Sequence, residues 1–158
     1  MPPKPVDKLL KEKKIGDIIN PRLIQAPPDI SVKRAVEFMR ENLSAYIVVA
    51  ENKKVVGMFT ESDVIWKILE KDVDWKKPIR DFMTKNPVVL TPNDSVGQAI
   101  DLMAEHRFYH IPLVNDKKEL TGVLSVRTLV RFLAEFYPAE VYNLPPNPHQ
   151  IMQTPEGG

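Results

Sequence analysis

Thr60 and Asp63 stand three residues apart in GMFTESDV (57–64), where an apolar stretch gives way to a helical one. A carboxylate in the first turn of a helix can accept hydrogen bonds from both hydroxyls of a ribose. A hydroxyl beside the free amides of a helix N-terminus can meet a phosphate. The same pair also suits plain capping, with Thr60 at the N-cap and Asp63 three residues on, where an acid favours the helix dipole. A second stretch, GVLSVRTL (122–129), repeats the lettering with Ser125 in place of Thr60, Arg127 two residues later, and Thr128 where the carboxylate would be. Other chemistry is sparse. His106, His110 and His149 are scattered, and a helix-to-strand break between the first two prevents a helical metal pair. Without a Gly-rich phosphate loop, a nucleophile elbow or a paired-carboxylate motif, no catalysis is expected.

The two junctions belong to a repeat. At an offset of 64 residues Ile15 meets Ile79, Asp17 meets Asp81, Pro28 meets Pro92, Ser31 meets Ser95, Ala35 meets Ala99 and Met39 meets Met103. One extra residue near Glu119 moves the offset to 65, pairing Gly57 with Gly122 and Thr60 with Ser125. Each copy opens on a short extended piece closed by proline, and Asp29 and Ser31, or Asp94 and Ser95, then offer N-cap side chains. Val32, Ala35, Val36 and Met39, like Val96, Ala99, Ile100 and Met103, mark one buried helix face. A strand (AYIVVA or YHIPLV), a turn, a second strand and a second helix follow. The pattern predicts an α/β fold of two helix-strand-strand-helix units, each with a short leading strand. A unit of this size buries little alone, so the copies should pack together. The boundaries read as a lead at 1–12, repeats at 13–72 and 76–136, and a proline-rich tail at 137–158, with 70–78 as linker.

Composition narrows the class. The 158 residues are 43% apolar and 27% charged, and 22 basic side chains nearly cancel 21 acidic ones. A net charge of +1 gives no nucleic-acid footprint. No apolar run reaches the length of a membrane span, and the N-terminus lacks the pattern of a signal peptide. With no cysteine, thiol catalysis and thiolate metal sites are excluded. A cytoplasmic protein is expected.

The order of elements, the repeat length, the leads IGDII and IRDFMT, HIPLV and both strand-to-helix junctions resemble the CBS domain, here as a tandem pair, the Bateman module. The resemblance covers roughly residues 13–135 and implies two copies packed with pseudo-twofold symmetry, with two clefts between them. It implies a regulatory or sensor module binding an adenine nucleotide (AMP, ADP or ATP), and a homodimer that acts on a separate protein. A ligand-free dimerisation scaffold, or a binder of another adenosyl ligand such as S-adenosylmethionine, is the alternative. No cofactor is implied beyond the regulatory nucleotide. Within the resemblance, the ribose reading of Thr60 and Asp63 takes precedence over capping. The family pattern builds each base pocket from the other copy, so Thr60 and Asp63 should face Val88, Val89, His110, Ile111 and Pro112, with Arg127 as the phosphate cation. The second cleft, with Ser125 and Thr128 facing Ile24, Tyr46 and Val48, is expected to be weak or empty.

Overall fold

The computed structural model describes residues 5–20 and 22–136. The tail at 137–158 therefore lies outside the described residues, as does the start of the lead. Helix α1 (Pro5–Glu12) precedes the first copy, which comprises β1 (Gln25–Ala26), α2 (Val32–Glu41), β2 (Tyr46–Glu51), β3 (Lys54–Thr60) and a short α3 (Glu61–Asp63). The second copy comprises β4 (Thr84–Lys85), α4 (Val96–His106), β5 (His110–Val114), β6 (Leu120–Ser125) and α5 (Val126–Phe136). Ser31 and Ser95 cap α2 and α4, each accepting from the amide three residues on at 3.1 Å.

The second helix of the first copy departs from the expected α-helix. After one turn, Val64–Leu69 widens into a π-helix, whereas α5 stays regular over the matching segment. Such widened turns are frequent at functional sites.

β1, β2, β3 and β4 form one sheet in that order, and β5 and β6 form a second. β4 follows the linker yet pairs with β3 of the first copy, so the lead of each repeat crosses to the other. The crossing is symmetric. Ile15 donates its amide to the Asp94 carbonyl and Val96 donates to Lys13, both at 2.8–2.9 Å. In the equivalent place Ile79 donates to Ile30 and Val32 to Lys77, both at 2.9 Å. The cores follow: Ile15 is fully buried among Val96, Ala99, Ile111 and Leu124, while Ile79 is buried among Val32, Ala35, Ile47 and Phe59. A third cluster of Val48, Met58 and Val123 joins the two hairpins. The fold is α/β, with two repeats related by a pseudo-twofold.

Candidate functional site

Both strand-to-helix junctions are capped in the same way, but only one carries a charge. Thr60 donates its amide to Asp63 Oδ2 at 2.9 Å and its hydroxyl to the same oxygen at 3.3 Å. The Asp63 amide returns a bond to Thr60 Oγ1 at 3.4 Å, completing a reciprocal capping box. The other oxygen, Oδ1, lies 2.7 Å from Lys67 Nζ, and that ammonium also donates to the Phe82 carbonyl at 2.7 Å. Asp63 is only 6% exposed, and each of its carboxylate oxygens is engaged within the protein. In the second junction the Thr128 amide donates to Ser125 Oγ at 3.2 Å, and the two hydroxyls lie 3.1 Å apart.

A cavity of about 530 Å³ opens beside the second junction. That volume falls within the range of small-molecule sites. The first copy contributes Asp17, Ile18, Asn20 and Arg22 from its crossing lead, Ser44 and Ala45 from the loop before β2, and Tyr46 from its first position. The second contributes His110 at the start of β5, Ser125 at the end of β6, and Arg127, Thr128, Arg131 and Phe132 from α5. Tyr46 and His110, equivalent residues of the two copies, meet with ring centroids 4.7 Å apart and planes tilted by 41°.

The wall is cationic. Lys13, Arg22, Arg127 and Arg131 stand against Asp17 and Glu135, so the lining carries a surplus of positive charge. Arg22 also donates to the Asn42 carbonyl. Burial lowers the pKa of His110 below the ordinary imidazole value, which leaves a neutral ring at neutral pH. Burial raises the pKa of Tyr46, partly offset by the Arg22 guanidinium. An aromatic pair, two hydroxyls at a helix start and several guanidiniums are suited to a flat ring carrying a polyanionic tail.

This grouping differs from the one the sequence suggested. His110 and Arg127 share a cavity with Ser125 and Thr128, whereas Thr60 and Asp63 do not line it. Register explains His110, which pairs with Ser125 across the β5–β6 ladder and so stands at the same sheet end. Ile111, one step on, is fully buried in the second core, and Pro112 is buried beside it. Val88 is exposed and Val89 partly buried, and neither reaches the cavity. Of the residues assigned to the second cleft, Tyr46 lines it, but Ile24 and Val48 are buried in apolar clusters. An open cavity thus stands at the cleft expected to be weak. Sequence reasoning passed over Arg22, Ser44 and Arg131. Arg131 carried a signal, because it lies one helical turn beyond Arg127. Arg22 and Ser44 carried none, since each depends on the crossing lead or on a loop.

Among the described residues no group of three or more His, Cys, Asp or Glu could hold a metal, and no helix is long and apolar enough to cross a membrane.

The family model of the CBS domain matches residues 15–70 and again 79–135. An uncharacterised 17.7 kDa protein of Acidianus ambivalens is 29% identical over 125 residues, covering 78% of this chain and 75% of that one. The crystal structure of an uncharacterised conserved protein from Pyrococcus horikoshii matches with a TM-score of 0.70 at 25% identity, covering 87% of this chain and 97% of that one. The structure of CBSX2 in complex with AMP matches with a TM-score of 0.71 at 25% identity, covering 79% and 99%. The chain spans about a quarter of the archaeal inosine-5'-monophosphate dehydrogenases that it also matches. Two matches to one family model, on two copies whose leads cross symmetrically, lead to one conclusion: the chain belongs to the CBS domain family, as a tandem pair.

Proposed function

We propose that this pair is a regulatory module that takes an adenine nucleotide in the cavity between Tyr46 and Thr128. The observation that carries the reading is the surplus of guanidinium groups on the wall of an open 530 Å³ cavity between the repeats. The base lies against Ala45, Tyr46 and His110, the ribose meets the Ser125 and Thr128 hydroxyls, and the phosphates meet Arg127 and Arg131. The AMP complex of CBSX2, a structural relative, supports an adenosyl ligand. The cationic wall favours AMP, ADP or ATP over S-adenosylmethionine, whose sulfonium would add positive charge there. The module works in the cytoplasm as a homodimer and acts on a separate effector protein. It regulates and does not catalyse.

A thermal-shift series with AMP, ADP, ATP and S-adenosylmethionine tests the reading. A ligand that binds only the folded chain stabilises it by about 2.7 kcal/mol at a hundredfold excess over Kd. The nucleotides should raise Tm and S-adenosylmethionine should not. Replacing Arg131 by Ala should weaken ATP on the order of tenfold, the scale of one charged hydrogen bond, while sparing adenosine. If no nucleotide shifts Tm, the pair is a ligand-free scaffold.

A further inference from the structure

The Asp63 junction carries the carboxylate that suits a ribose, yet Thr60 and Asp63 do not line the 530 Å³ cavity, which opens at the other junction. Lys67 bears directly on that carboxylate. A vicinal diol donates two hydrogen bonds and so needs two free acceptor positions on the carboxylate. Asp63 Oδ2 is filled by the Thr60 amide and hydroxyl, which leaves the two positions of Oδ1, and Lys67 Nζ, 2.7 Å from that oxygen, takes one of them. The same ammonium is anchored on its other side to the Phe82 carbonyl, on the lead that crosses over from the second copy. The pair is therefore more than a surface contact between neighbouring helix turns: its carboxylate is buried and its cation bridges two segments of the chain.

The repeat supplies an internal comparison. Sixty-five residues on, Asp63 becomes Thr128 and Lys67 becomes Phe132. Both members of the ion pair are absent from the second copy, and there the cavity is open, with Thr128 and Phe132 on its wall. The π-helix that carries Lys67 is likewise confined to the first copy.

We infer that Lys67 is a built-in occupant of the first cleft, taking the Asp63 oxygen that a ribose hydroxyl would need, so that the natural chain holds one nucleotide and holds it in the second cleft. The occupancy of the second cleft rests on the function proposed above; the closure of the first does not.

Isothermal titration of the full chain with AMP, ADP and ATP separates the two. The natural chain should bind one equivalent, lost in Arg127→Ala/Arg131→Ala. Lys67→Met should bind two, and Lys67→Met/Asp63→Asn should fall back to one. Lys67→Gln, which keeps a donor for the Phe82 carbonyl, serves as a second variant if Lys67→Met does not fold. Two equivalents on the natural chain would overturn the inference. So would a variant that gains none, or a gained equivalent that survives Asp63→Asn. No binding by the natural chain but one equivalent on Lys67→Met would refute the second-cleft reading and support the closed first cleft. No binding by either would refute both.

Discussion

The Tyr46–His110 contact joins two equivalent side chains whose titrations are both displaced by burial, in opposite directions. For His110 the folded pKa is lowered, so in acid the unfolded chain takes up its proton first. The stability of the empty protein that this group governs is complete above the ordinary imidazole value and is lost as pH falls below it. For Tyr46 the raised pKa works at the other end, and its contribution is lost as pH rises past the ordinary phenol value. A bound base deepens the same effect at His110. Covering the ring withdraws it further from water, so nucleotide binding favours the neutral imidazole. Affinity for ATP should therefore weaken as pH falls from 7.5 to 6, and Tm without ligand should fall over the same range. Replacing His110 by Phe should flatten both slopes. Calorimetry and melting curves across that range check the pair of signs, and an unchanged ATP slope in the variant would remove His110 from the site.

Gly57 and Gly122 hold equivalent places in β3 and β6 but have different neighbours. A Cβ on Gly57 would fall 2.4 Å from Met83 Sδ and 3.0 Å from the Thr84 carbonyl oxygen, because the chain entering β4 packs against β3 there. On Gly122 it would meet only Ile19 Cδ1 at 3.5 Å and Leu113 Cδ1 at 3.8 Å, ordinary contact distances. Gly57→Ala should therefore cost about 1–3 kcal/mol, the scale of overpacking. Gly122→Ala should be neutral or slightly stabilising, since alanine loses less backbone entropy in a strand. Urea unfolding of the two variants measures the difference, and equal costs would deny the close crossing of β4. The repeat, the two hairpins and the Ser31 and Ser95 caps were legible in the sequence, because each follows from local spacing. The π-helix at Val64–Leu69 was not, since Lys67 and its neighbours read as any amphipathic turn. The composition of the cavity was half legible. Tyr46, Ser125 and Thr128 follow from register, but Asp17, Asn20 and Arg22 arrive on a lead whose crossing no periodicity reveals.

At the scale of the molecule, a run of apolar surface on the first copy remains uncovered. Leu43, Ile65, Trp66 and Leu69 are exposed, and Val36, Met39, Leu43, Val64 and Ile65 line a groove beside them. Val130, the counterpart of Ile65 in the second copy, is exposed as well. Exposed apolar surface is where self-association is to be sought. If the proposed homodimer uses this face, Ile65→Glu should shift the mass seen by light scattering from dimer to monomer while leaving the circular dichroism spectrum unchanged. A monomeric natural chain at tens of micromolar would remove the dimer from the proposal. The crossed leads carry a consequence for how the chain is made. On the ribosome Ile15 emerges early, yet its neighbours Ile111 and Leu124 are synthesised about a hundred residues later. The first repeat emerges whole without Ile79, Phe82 and Met83, which complete its core. The first core can close once Met83 has emerged, but the second cannot until the last repeat is made, so α1 and its lead wait, apolar side outward, until the second repeat arrives. During that wait a lead on one nascent chain can as readily dock on the repeat of a neighbouring one.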